Sequence, residues 1–182
     1  MNKKRGFLSG KRGQIWIETV IYTLIAFSLI GLVLAFVVPK INETQDKGVI
    51  DQTLSVLQNI DTLIRDIGDP GNQRLINLGI NKGEMTVDSL NDEIFFIIDS
   101  RYKYSEPGKE INIGKVLVDT ETKGEDYIVT MTLNYSGQYN LTYQGIDLEK
   151  TLTSSSVPYS FSISNVGKDG SGKTIIDTGV VG

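Results

Sequence analysis

The sequence predicts an α+β fold: a long, kinked N-terminal α-helix followed by a small antiparallel β-rich domain. Three observations carry this expectation. Residues 19–38 form a run of twenty without a charge. An apolar stripe at helical spacing continues from there as far as Ile67. Beyond Asp69 the helical period gives way to short alternating segments punctuated by glycine, asparagine and lysine.

The uncharged run reads TVIYTLIAFSLIGLVLAFVV. At 1.5 Å rise per residue it spans about 30 Å, the thickness of a bilayer core. It is longer than the roughly 7–15 residues of a secretory h-region, and Pro39-Lys40 is unlike a small-residue cleavage site, so the helix is expected to stay on the mature protein. Pro39 removes one backbone hydrogen bond and predicts a kink. The pattern then resumes with Ile50, Leu54, Leu57, Ile60, Ile64 and Ile67, one apolar face of an amphipathic helix. Gly68 and Pro70 stop it. The expected helix therefore runs from about Gln14 to Ile67 within a segment 14–69. Its second half packs against the chain's own β domain, residues 70–182.

Eight strands are expected in that domain, at 74–80, 85–88, 93–99, 111–119, 127–135, 139–143, 158–166 and 173–180. Asn81-Lys82-Gly83 and Lys123-Gly124-Glu125-Asp126 read as hairpin loops. Segment 88–97 fits a strand or a helical turn. In 127–135, Tyr127, Val129, Met131, Leu133 and Tyr135 fall on one face. Ser160 and Ser162 are expected to point outward from a similar strand. The number and shortness of the strands suggest a sandwich, or an antiparallel sheet wrapped on the helix.

Composition narrows the chemistry. The chain has neither Cys nor His, which removes thiolate nucleophiles, thiolate zinc ligands and imidazole acid–base pairs. No spacing nominates the carboxylate pair that a membrane-tethered glycosidase needs. Asp119, Glu121, Glu125 and Asp126 match no calcium loop and read as a solvated hairpin. Neither catalysis nor a cofactor is expected. Five of the 18 basic residues lie in the first 13 positions, leaving 13 against 22 acidic residues and a formal charge of −9 beyond them. A body so acidic argues against nucleic acid as a partner. The basic cluster before the helix favours the cytoplasmic side, so the C-terminal body should face outward.

The flank of the apolar run is the most specific feature. Lys11-Arg12-Gly13-Gln14-Ile15-Trp16-Ile17-Glu18 sets two cations, a small residue and then one acid at the edge of the run. A carboxylate inside a membrane costs roughly 2.5–3.5 kcal/mol on insertion scales. Cleavage between Gly13 and Gln14 would make Glu18 the fifth residue, one helical turn from a new α-amino group. A neighbouring chain's amino terminus can then neutralise it and set the register of packing.

Gly13-Gln14 followed by Glu18 resembles the class III signal peptide of archaeal type IV pilin-like proteins. The family pattern is roughly Gln-x-Ser-x-Glu before the apolar residues, and here Trp16 stands in place of the serine. The resemblance implies a leader, residues 1–13, removed by a prepilin-peptidase-like enzyme. It implies that the helix is stored in membrane lipid and then packed into the core of a filament of identical subunits by assembly machinery. It also implies a β domain outside the cell, serving adhesion or surface attachment. The other reading is a non-polymerising, single-pass membrane-anchored surface protein that keeps residues 1–13.

Two further motifs stand in the body. Asn42-Glu43-Thr44, Asn134-Tyr135-Ser136 and Asn140-Leu141-Thr142 are N-glycosylation sequons. Position relative to the turn near Gly137 favours Asn140, then Asn134, with Asn42 disfavoured by its closeness to the helix core. Gly167-Lys168-Asp169-Gly170-Ser171-Gly172-Lys173-Thr174 spells a nucleotide phosphate loop. The mechanism needs a helix after Thr174. The eight residues that follow, IIDTGVVG, are β-prone, so Gly167, Gly172, Lys173 and Thr174 are read as a hairpin without nucleotide chemistry.

Overall fold

The computed structural model describes residues 11–181, with side chains from Trp16 onward. The chain forms two compact units, Met1–Asn42 and Glu43–Gly182. Helix α1 (Lys11–Arg65) is a single α-helix with Pro39 inside it. Pro39 has no N–H to offer the Ala35 carbonyl, yet the helix is not interrupted there. It ends two residues before Ile67, whose side chain is still buried.

In the second unit the stripe behaves as its spacing predicts. Ile50, Leu54, Leu57, Ile60, Ile64 and Ile67 are all buried, and all belong to one core with the strands. Two acids share that stripe. Asp46 lies four residues before Ile50, and Asp61 lies between Leu57 and Ile64; both are buried. Each is satisfied. Asp46 accepts the Arg101 backbone N–H on Oδ2 at 2.8 Å and the Lys82 ammonium on Oδ1. Asp61 accepts the Tyr135 hydroxyl on Oδ1 at 3.3 Å and pairs with Arg65 through Oδ2 at 3.0 Å. Burial, and then the charge of Asp61, push the Tyr135 hydroxyl pKa up, so it stays protonated and keeps donating.

Ten strands follow: β1 (Gln73–Leu78), β2 (Glu84–Asp88), β3 (Glu93–Ser100), β4 (Ile111–Ile113), β5 (Val116–Lys123), β6 (Asp126–Asn134), β7 (Tyr139–Tyr143), β8 (Glu149–Thr153), β9 (Tyr159–Lys168) and β10 (Thr174–Val181). They make a four-stranded sheet, β1-β9-β10-β7, and a six-stranded sheet, β4-β5-β6-β3-β2-β8. Strand β6 keeps the predicted alternation, with Val129, Met131 and Leu133 buried between half-buried threonines. Lys123 pairs with Asp126 across a two-residue turn in which Gly124 takes φ 65°, so that loop is a hairpin as expected.

Several expectations need correction. The domain is not wholly antiparallel, because β7 and β10 pair in parallel. Residues 81–83 do not close a hairpin. Strand β1 pairs with β9 and β2 with β3 and β8, so the loop carries the chain from one sheet to the other. Gly83 is required there, since a Cβ would lie 2.4 Å from the Ile97 carbonyl oxygen. Segment 111–119 is two strands, with Ile113 paired to Val116 across a tight turn. Of segment 88–97, residues from Glu93 on are strand β3. Strand β8 was not expected at all. It is a polar edge strand whose only buried residue is Leu152, so it carries no apolar period. Ser162 does not point into solvent; it is buried, and its hydroxyl donates to the Gly179 carbonyl at 3.2 Å.

Two variants test this packing by denaturant unfolding of the full chain in detergent. Leu57→Ala is expected to destabilise the body by about 2–5 kcal/mol through lost burial and the cavity left behind. Asp46→Ala is expected to cost about 1–3 kcal/mol by stranding the Arg101 N–H, with faster exchange of that amide. An unchanged Arg101 exchange rate in Asp46→Ala would show that the carboxylate is not what holds the strand end.

Candidate functional site

The residues that most need a partner are in the first unit. Along α1 from Trp16 to Ile41 every large apolar side chain is exposed, from Val20 at 39 % to Phe36 at 74 %. Consecutive exposed positions such as Leu32, Val33 and Leu34 point in all directions around the axis. This surface is therefore not a stripe awaiting one neighbour. A helix apolar all round belongs in lipid or among other helices. It is long and apolar enough to cross a membrane.

The polar groups of this stretch are largely self-contained. The Thr23 hydroxyl donates to the Thr19 carbonyl at 2.8 Å, and the Ser28 hydroxyl to the Leu24 carbonyl at 2.7 Å. Such back-bonding lets hydroxyls sit in an apolar setting without an outside partner. Glu18 differs. Its carboxylate is exposed, one turn from Ile21 and Tyr22, which are exposed as well. An ionised carboxylate cannot be satisfied by acceptor carbonyls and needs a cation or a donor. Gly13 and Gln14 lie in the backbone of α1, but the Gln14 side chain, like all of residues 1–10, falls outside the described residues.

The phosphate-loop letters fold into something else. Residues 168–174 close the hairpin between β9 and β10, so a strand follows Thr174. The Asp169 carboxylate occupies the centre of the loop. Its Oδ1 accepts the Ser171 N–H at 2.8 Å, the Ser171 hydroxyl at 2.7 Å and the Lys173 N–H at 3.0 Å. Its Oδ2 accepts the Asn140 amide at 3.2 Å. The Lys173 ammonium bonds the Ser136 carbonyl and lies 3.8 Å from Asp92 Oδ2. The donors that a phosphate would use thus already hold an internal anion.

The sequons are also separated by the fold. Asn134 is exposed at the end of β6, Asn140 is half-buried in β7, and Asn42 is half-buried on α1. Among the described residues no group of three carboxylates is placed to hold a metal ion. An open concavity of about 550 Å³ lies against Lys82, Glu84, Asp99 and Lys123, where Asp99 is ion-paired to Lys123 at 2.8 Å.

Asp46 and Asp61 were missed by sequence reasoning, although their signal was present. Both fall in phase with the apolar stripe, where a solvated acid has no place.

The Asp169 loop yields a pH prediction. Hydrogen bonds from the Ser171 and Asn140 side chains, in that order, lower the Asp169 carboxyl from 3.8 to about 2. The group is depressed in the folded state, so its contribution to stability is present above 3.8 and lost as pH falls through about 2. A carboxyl-carbon NMR titration should place its midpoint near 2. Ser171→Ala should move that midpoint up, and an unmoved midpoint would rule the Ser171 contacts out as the cause. Compared with known proteins, the chain matches no family model, no curated protein and no solved structure.

Proposed function

We propose that this protein is the structural subunit of an extracellular filament of the archaeal type IV pilin-like kind. It is cut between Gly13 and Gln14, stored in the membrane by its apolar helix, and polymerised through that helix with the β domain outward. The observation that carries this reading is the helix surface from Trp16 to Ile41, exposed on every side and marked at its start by the acid Glu18.

The energetics favour a role for Glu18 in choosing the neighbour. Lipid tails are as apolar as leucine, so moving a helix from lipid to a helical core gains little from burial itself. Close packing and polar pairing decide the outcome. Gly31 has open space where a Cβ would stand, and Ala35 lies one turn on, which lets a second backbone approach that side. A neighbour's Gln14 α-amino group supplies the cation that Glu18 needs, and in a site without water that pair is much stronger than at a surface.

The anchored, non-polymerising surface protein predicts the same membrane insertion but leaves Glu18 without an assigned partner. The two readings part at the N-terminus. Mass spectrometry of material sheared from producing cells should find chains beginning at Gln14. Chains beginning at Met1 and remaining with the membrane would overturn the filament reading. Glu18→Ala should insert normally and fail to assemble. Filaments of normal yield and symmetry from that variant would sink the pairing.

A further inference from the structure

We propose that Asn134 carries an N-linked glycan and that Asn140 and Asn42 do not. The assignment rests on the outward orientation of the body in the proposed function, and it does not depend on polymerisation.

Asn134 stands at the last position of β6, opposite Glu93 in register. It is exposed, and so are the next turn residues, Ser136, Gly137 and Gln138. The turn has a fixed root, because Tyr135 is buried and its carbonyl accepts the N–H groups of Gln138 at 2.8 Å and Tyr139 at 3.0 Å. The side chains of the sequon's Asn134 and Ser136 contact each other. Asn134 Oδ1 accepts the Ser136 N–H at 3.1 Å and the Ser136 hydroxyl at 2.7 Å. Its Nδ2 donates to Glu93 Oε1. A primary amide has two N–H groups, and this contact uses one of them.

Transfer from an activated glycosyl phospholipid is compatible with that geometry. Nδ2 forms a bond to the anomeric carbon, and the carbon–oxygen bond to phosphate breaks. The lipid phosphate leaves with the electron pair, and one amide proton passes to a base of the transferase. The remaining N–H can still donate to Glu93. The added sugar extends into solvent, where a bulky, hydrophilic group belongs.

Asn140 has the same three-residue pattern without the access. It pairs with Ile175 in the parallel ladder, and Leu141 beside it is fully buried. Its amide donates to Asp169, the carboxylate that organises the neighbouring hairpin. The sequon's hydroxyl, Thr142 Oγ1, donates to Asp177 Oδ1 at 2.7 Å, and the Thr142 carbonyl accepts from Thr178 Oγ1 at 3.0 Å. Presenting this sequon means stripping β7 from β10. Asn42 is half-buried on α1 beside Ile41, where the surface that must be covered ends.

The test uses the full chain isolated from producing cells. No Lys or Arg lies between Lys123 and Lys150, so a tryptic digest leaves Asn134 and Asn140 on one peptide, and variants must separate them. That peptide should carry a sugar mass in the wild type and in Asn140→Gln. It should lose the sugar in Asn134→Gln and in Ser136→Ala, and keep it in Ser136→Thr. The serine pair leaves Asn134 itself untouched and serves if Asn134→Gln does not accumulate. A sugar that survives Asn134→Gln overturns the assignment. So does an unmodified wild-type peptide from a body whose lysines react with a membrane-impermeant amine label on intact cells. A body shielded from that label overturns the outward topology first, and the glycan assignment with it.

Discussion

A helix that is apolar on every side cannot rest in water, and the other features of this protein follow from how that surface is covered. Burying one Leu, Ile or Phe is worth about 1.5–3 kcal/mol. For the apolar side chains exposed between Trp16 and Ile41 the sum reaches tens of kcal/mol, against about 5–15 kcal/mol that holds an ordinary domain together. No rearrangement of the acidic body can offset that. Lipid or other chains can supply that cover. Because those two are nearly equal as apolar solvents, the choice between them falls to close packing and to the one acid at the start of the run.

The second half of the same helix solves a different problem. Its stripe is one-sided and is answered by the chain's own strands. An unbroken apolar stripe fixes which face is buried but tolerates small rotations and slips, since one aliphatic contact replaces another at little cost. The two acids in phase with the stripe remove that freedom. Asp46 is held by the Arg101 N–H and Lys82, and Asp61 by Tyr135 and Arg65. A buried carboxylate that loses its donors is destabilising by more than a lost methylene, so the two pairs fix the helix's register against the sheets.

How much of this was legible depends on the kind of information each feature leaves in sequence. The stripe from Ile50 to Ile67 and the alternation in β6 are periods, and both appear where they were read. The hairpin at Lys123–Asp126 is turn chemistry, which is also local. Strand direction is not local. Nothing in Tyr139–Tyr143 announces that its partner is β10, reached only after β8 and β9, and that the pair is parallel. Strand β8 escaped for another reason: at an edge it is asked to bury one side chain, and one burial makes no period. Ser162 looked solvent-facing because serine usually is, yet the close backbone at Gly179 gives its hydroxyl an acceptor. The residues proposed for processing and assembly are a separate case. Gly13, Gln14 and Glu18 were legible as a motif, but a single chain contains only half of the interaction they suggest.

The two motifs in this chain show why spelling and mechanism must be weighed separately. Residues 167–174 match the phosphate-loop letters completely and follow a strand, β9, but what must come after the loop is missing. A strand follows in place of a helix, and Asp169 already takes the N–H groups of Ser171 and Lys173. A phosphate would have to displace a carboxylate that is covalently part of the loop and held ionised down to about pH 2. The N-terminal motif is the reverse. Its spelling is imperfect, with Trp16 where a small hydroxyl residue is usual, but the physical demand behind it is intact. Trp16 is exposed, as is Ile17, and adds apolar area to a surface that must be covered in any case. Glu18 is the residue that an apolar cover cannot satisfy. At the bilayer centre a carboxylate carries a penalty of roughly 2.5–3.5 kcal/mol, and in the proposed filament a packed core offering a cation would offset the part of it that Glu18 meets at the edge of the run. In the proposed filament that difference, repeated at every subunit, would give the helices a reason to leave lipid for one another.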